Sequence, residues 1–181
     1  MTPLPGGCYC GAIRYVITLD DPDSQARTSL CHCGNCKRFT GGNYGITTKI
    51  PRSAFELERG EDCIKVHEAD NGSGVVLHRE FCGTCGGGLL EYGENAGDNI
   101  YVFYGTMDDH ARGQVEPKGE FFCKLRDPWM PEVEGRSPLF SISYWVIDWN
   151  SREIKYRHIP QGGDQELGEK RAFVLSFYYR P

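Results

Sequence analysis

Short runs of β-branched and aromatic residues, broken by turn-forming residues, dominate this chain. Ile13–Leu19, Tyr44–Ile50, Val75–His78 and Ile100–Tyr104 read as strands. Phe140–Ile147 opens with clean alternation, so that Phe140, Ile142, Tyr144 and Val146 would share one face. Ile154–Ile159 and Phe173–Tyr179 are further strand candidates. Turn residues punctuate the pattern at Asp20–Asp23, Gly41–Asn43, Asn71–Gly74, Gly86–Gly88 and Gln161–Asp164. Helical periodicity is missing except for one turn at Gly34–Arg38. The pattern therefore predicts a turn-rich, mainly β domain with few short helices. Pro128–Pro138 is a soft boundary, which gives a main domain over 1–140 and a β-rich extension of the same domain over 141–181.

The length of 181 residues suits about one domain. An aromatic content of 12% excludes a disordered chain. No stretch approaches the ~18 apolar residues of a membrane span. The start, Met1–Gly7, has neither the basic residues nor the apolar run of a secretory leader, so a cytoplasmic protein is expected. A net charge of -5 and the lack of a long basic run argue against nucleic acid as the partner. Nothing in the sequence specifies the oligomeric state.

Cysteine changes the picture most. Nine cysteines, an odd count, in a chain with no sign of secretion point to metal ligands or reactive thiols before disulfides. Seven fall into three clusters: Cys8 and Cys10; Cys31, Cys33 and Cys36; Cys82 and Cys85. A tetrahedral zinc with bonds of ~2.3 Å needs its sulfurs on tight turns, and two intervening residues let one turn supply two. Gly34, Gly83 and Gly86 follow Cys33, Cys82 and Cys85 as such turns require. Cys8 and Cys10 with Cys82 and Cys85 are expected to make a closed, structural four-thiolate site, with buried or free thiols as the alternative. Cys31, Cys33 and Cys36 are left as three ligands with an open position, the plan of a catalytic zinc site. The residues alone leave other uses of this triad open: a second structural site completed by His32, His78 or a lone cysteine, or a redox thiol cluster. Cys63 and Cys123 read as small buried hydrophobes. His32 shapes the turn in which it lies. One of Asp108 and Asp109 is expected to cap a turn, with a general-base role as the alternative. The Gly86–Gly88 run lacks the Lys-Ser/Thr that follows in a phosphate loop.

Taken together, the motifs Gly6–Tyr15, Cys31–Arg38, Phe81–Gly86, Tyr104–Asp109 and Pro128–Trp129 resemble the glutathione-dependent formaldehyde-activating enzyme family, also called the centromere-protein-V/Gfa family. The resemblance spans about Gly6 to Phe140. It implies a mainly β, Mss4-like (β-tent) fold around a zinc knuckle. It implies two Zn2+ per chain, a structural one at Cys8, Cys10, Cys82 and Cys85 and a second at Cys31, Cys33 and Cys36, whose open position would allow it to be labile. It also implies a carbon–sulfur lyase or synthase activity on a glutathione or other small-thiol adduct, like that of S-(hydroxymethyl)glutathione synthase. The rival reading is a non-catalytic, zinc-stabilised binding module. Two positions depart from the family pattern. Lys37 replaces the arginine after the third middle cysteine, and Glu120 stands where the family often has histidine. Arginine and lysine are not interchangeable at a bidentate site. Lys37 and Arg38 are the candidates for holding a substrate carboxylate. The aromatic tail, including Tyr144, Trp145, Trp149, Tyr156, Phe173, Phe177, Tyr178 and Tyr179, reads as core packing or as a wall over the second zinc.

Overall fold

A computed structural model describes residues 2–72, 74–131, 144–148 and 153–157. The fold is mainly β with three short α-helices among the described residues. The chain divides into two compact units, Met1–Arg136 and Ser137–Pro181. In the first unit, β1 (Thr2–Gly7), β2 (Arg14–Leu19) and β5 (Phe55–Arg59) form an antiparallel sheet in the order β1-β2-β5. A seven-stranded sheet is built from β3 (Arg27–Cys31), β4 (Gly45–Pro51), β6 (Ile64–Asp70), β7 (Val76–Cys82), β8 (Gly88–Gly93), β9 (Asn99–Phe103) and β10 (Pro117–Phe121). Its order is β10-β3-β4-β9-β8-β7-β6, antiparallel throughout except where β10 lies parallel to β3. Helices α1 (Pro22–Gln25), α2 (Gly34–Thr40) and α3 (Asp109–Arg112) fill the connections. In the second unit, β11 (Tyr144–Asp148) pairs antiparallel with β12 (Glu153–Arg157).

Alternation explains how the first unit buries its core. On β2 the side chains of Tyr15, Ile17 and Leu19 point inward and are almost completely buried, while Arg14, Val16 and Thr18 take the other face. They join Leu4 and Ile13 from the same hairpin, and Ile50, Leu89, Leu90, Ile100 and Val102 from the larger sheet, in one hydrophobic cluster. The two sheets thus form layers over a shared core. Gly6 is required where β1 crosses Tyr15. A Cβ there would stand 2.4 Å from the Tyr15 ring and 2.7 Å from the Thr106 carbonyl. Among the described residues, no helix is long and apolar enough to cross a membrane.

The strands expected at Ile13–Leu19, Tyr44–Ile50, Val75–His78 and Ile100–Tyr104 form as β2, β4, β7 and β9. Those expected at Phe140–Ile147 and Ile154–Ile159 correspond to β11 and β12 over the described residues. Phe173–Tyr179 and the tail aromatic side chains lie outside the described residues. β1 had no strand signal because Pro3 and Pro5 interrupt it. It lies at a sheet edge, and prolines two apart turn their missing N–H groups to the same outer side.

Candidate metal centres

Two hairpin ends meet at the first centre. The β1–β2 turn carries Cys8 and Cys10, and the β7–β8 turn carries Cys82 and Cys85. The two turns are built alike. Gly11 N–H donates to the Cys8 carbonyl at 3.0 Å, and Gly86 N–H donates to the Cys82 carbonyl at 2.8 Å. Gly11 and Gly86 both adopt positive φ, +74° and +73°, which favours glycine at these two points. The four sulfurs lie within 4.8 Å of one another. Cys8 Sγ is 3.5 Å from Cys10 Sγ, and Cys10 Sγ is 3.8 Å from Cys82 Sγ. A tetrahedron of zinc–sulfur bonds of ~2.3 Å has edges of about 3.8 Å, so the donor set fits such an ion. Backbone amides already favour sulfur anions here. The N–H groups of Cys85 and Thr84 hold the Cys82 thiol below its ordinary range, and those of Gly87 and Cys10 do the same for Cys85.

The second centre forms where β3 passes into α2. Cys31 ends β3, Cys33 is the N-cap of α2, and Cys36 lies in its first turn. Their sulfurs also lie within 4.8 Å of one another. Cys33 Sγ accepts from Cys36 N–H at 3.3 Å, doing with sulfur what a capping oxygen usually does. Hydrogen bonds from the Cys31 and Cys36 thiols, then from the amides of Cys36 and Asn35, pull Cys33 far below the ordinary thiol value. The Cys31 thiol is pushed up chiefly by its hydrogen bond to Cys33, and the Cys36 thiol by its hydrogen bonds to Cys31 and then to Cys33. The helix ends at Gly41, with φ of +67°, and the chain returns as β4. There Gly45, paired with Cys31, leaves room for Cys36, since a Cβ on Gly45 would stand 2.9 Å from Cys36 Cβ. Among the described residues these two groups are the ones whose donor atoms converge as metal ligands would.

Polar side chains lie around the triad. Buried Arg79 on β7 donates to Glu91 Oε2 and to Asn35 Oδ1, each at 2.9 Å, and its guanidinium lies over the Phe39 ring at 4.2 Å. Burial pushes the Glu91 carboxyl up, against the lowering effect of Arg79. His32 is completely buried. Its Nε2 lies 3.2 Å from Glu120 Oε1, its Nδ1 has no hydrogen-bond partner, and Glu120 also pairs with Arg126. Glu120 thus has an account in this chain: its carboxylate serves His32 and Arg126.

Lys37 donates to the Leu125 carbonyl at 2.8 Å and to Asp127 Oδ1 at 3.0 Å, which pins that segment over α2. Arg38 is exposed on the same helix. Asp108 stands at the N-cap position of α3, but its side chain does not cap. It holds Arg14 in a bidentate pair at 3.0 and 2.7 Å, which keeps its carboxyl below the usual range. Asp109 pairs with Arg112 at the surface. Cys63 and Cys123 are half-buried and stand outside both clusters.

An open cleft of about 580 Å³ lies against the first centre and is lined by Gly7, Cys8, Tyr9, Arg14, Gly87, Asp108 and Arg112 among others. None of the triad cysteines lines it. The cleft offers little chemistry of its own. Its cations are already neutralised by Asp108 and Asp109, and Cys8 belongs to a full set of four donors. The donor set at Cys31, Cys33 and Cys36 is one short of the four at the first centre.

Sequence reasoning assembled both cysteine groups but missed Arg79, Glu91 and Asn35. A signal was present: in Leu77, Arg79 and Phe81 a charge occupies an otherwise apolar alternation on β7.

The model of the glutathione-dependent formaldehyde-activating enzyme family matches residues 3–125. A protein of Halomonas elongata named "Putative glutathione-dependent formaldehyde-activating enzyme" is 24% identical over 135 residues, covering 74% of this chain and 82% of that protein. A crystal structure of a Rhodobacter sphaeroides protein is 20% identical, with a TM-score of 0.47. The match covers 64% of this chain and 98% of that one.

Proposed function

The chain belongs to the glutathione-dependent formaldehyde-activating enzyme family, and we propose that it is an enzyme that joins a small thiol such as glutathione to an aldehyde, or cleaves the same carbon–sulfur bond in reverse. In this reading Cys8, Cys10, Cys82 and Cys85 hold a structural zinc. Cys31, Cys33 and Cys36 hold a second zinc with one side open to substrate. The observation that carries the reading is the coexistence of a complete four-sulfur set with a three-sulfur set in one fold. All-sulfur donors suit a soft metal. Bound at the triad, zinc would supply Lewis-acid stabilisation of a substrate sulfur anion.

The chain's own residues do the rest. Cys33, the N-cap residue of α2, anchors the open site where β3 passes into the helix. Arg38 is the freer candidate for a substrate carboxylate, because two acceptors already engage Lys37 and leave it one of three donors. The reaction balances without an oxidant. The thiol sulfur forms a bond to the carbonyl carbon, the carbonyl π pair moves to oxygen, and the thiol proton ends on that oxygen. A reducing, cytoplasmic setting suits nine free cysteines. Residues 141–181 are read as an extension of the same domain.

The test combines metal content with turnover. Protein purified without chelator is analysed for zinc per chain before and after excess glutathione, and the thiol-dependent conversion of ¹³C-formaldehyde is followed by NMR. Two zincs falling to one, with adduct formed faster than in buffer, is the expected result. Cys33→Ser should abolish the acceleration and leave the fold intact. A Cys33→Ser protein that unfolds, or two zincs that glutathione never reaches and no acceleration, would support the binding-module reading.

A further inference from the structure

We propose that Arg79, acting through Asn35, is the positioning residue that holds the Cys33–Cys36 loop in ligand geometry. This rests on the reading of the triad as a metal site. Arg79 is only 7% exposed, and a charge so buried is retained only with good partners. The partners bring three elements together. Glu91 faces Arg79 across the β7–β8 register and takes its Nε–H. Phe39, three residues beyond Cys36 on α2, receives its planar face. Asn35, between Cys33 and Cys36, accepts its terminal N–H through Oδ1.

The Asn35 amide is used at both ends. Arginine has no acceptor, so Asn35 must present its oxygen to Arg79 and its Nδ2 outward. That Nδ2 donates to the Asn71 carbonyl at 3.3 Å, at the turn between β6 and β7. The residue that sets the spacing of two ligands is thereby clamped between the floor of the sheet and the hairpin end. A metal site tolerates ligand shifts of only about 0.2 Å. Groups that orient the ligands typically contribute ~10–100-fold to metal affinity. Lysine could not replace Arg79, because it lacks the planar fork that meets Glu91, Asn35 and Phe39 at once.

Cobalt(II) reports the geometry directly through its sulfur-to-metal absorption. The full chain is titrated with cobalt, and the first and second equivalents are compared in three variants. Asn35→Ala leaves the buried Arg79–Glu91 pair whole. Arg79→Met combined with Glu91→Leu removes both charges, so that neither is stranded. Arg79→Lys keeps the charge alone. In each, the second equivalent should bind about 10–100-fold more weakly with an altered spectrum. The first equivalent should match the parent, and Asn35→Ala should stay folded with a slightly lower melting temperature, because Arg79 loses one acceptor. If Asn35→Ala and the double variant hold the second cobalt with parental affinity and spectrum, the proposal is wrong. A parent chain that takes up one cobalt in all overturns the triad reading itself, and this proposal with it. That failure is visible before any variant is made.

Discussion

Substituting Gly45 with alanine should empty the second metal centre while leaving the first intact. Gly45 begins β4 opposite Cys31, and its φ is not in the left-handed region, so alanine is compatible with the backbone. The obstacle is Cys36. An added Cβ would stand 2.9 Å from Cys36 Cβ and 3.4 Å from its Sγ. Ordinary contact begins at 3.4 Å, so Cys36 must retreat by about 0.5 Å (3.4 less 2.9). That exceeds twice the ~0.2 Å by which a ligand distance can depart before coordination suffers. Overpacking of this kind costs ~1–3 kcal/mol where the structure cannot yield. Gly34→Ala is the matched control: it lies in the same loop, and an added Cβ there meets nothing within 4 Å. Metal per chain by elemental analysis should fall from two to one in Gly45→Ala and stay at two in Gly34→Ala. The cobalt spectrum of the remaining site should be unchanged. If Gly45→Ala retains both metals with parental affinity, the close approach of β4 to Cys36 does not govern the site, and the reasoning fails.

Tyr15→Phe should lower stability by about 1 kcal/mol in urea unfolding, because Thr106 donates to the Phe103 carbonyl and so accepts the buried Tyr15 hydroxyl proton at 2.6 Å; an unchanged midpoint would contradict that assignment. Asp108→Asn should be less stable than the parent above about pH 4, with the gap closing at lower pH. The sign follows from Arg14 holding the carboxyl below its ordinary value of 3.8: the pair stabilises when ionised and is lost as pH falls through the folded-state value. Melting curves across pH 2–7 check it, and a gap that widens in acid would refute it. A chelator at neutral pH should take metal in two phases. The first, from the three-ligand site, should leave circular dichroism unchanged; the second, from the four-ligand site, should unfold the chain, since structural sites contribute on the order of 10 kcal/mol to folding. A single phase with simultaneous unfolding would mean that both centres are structural.

The strand pattern and the cysteine spacing were legible because they are local. Alternation in Tyr15, Ile17 and Leu19 says which face of β2 is buried before any partner is known. Spacing alone says which cysteines one turn can present to one ion. β1 was not legible, because a strand with two prolines is acceptable only at an edge, and an edge is a property of the sheet. The same limit hid β6, whose residues are mostly exposed and which exists because β7 supplies its hydrogen bonds.

The site divides along the same line. Two groups of sulfurs could be named from the chain, but their surroundings could not. Arg79 lies 44 positions from Asn35, and Glu120 lies 88 from His32. Nothing local marks either pair as partners. Lys37 read from the chain as a candidate for a substrate carboxylate and Asp108 as a turn cap or general base, yet Asp127 and Arg14 already hold them. Ligand identity follows from residue chemistry and turn spacing, which neighbouring residues carry along the chain. Which charges are spent on one another, and which remain for a substrate, follows from sheet register and from the low tolerance of a core for unpaired charge. Those are settled only when distant strands meet.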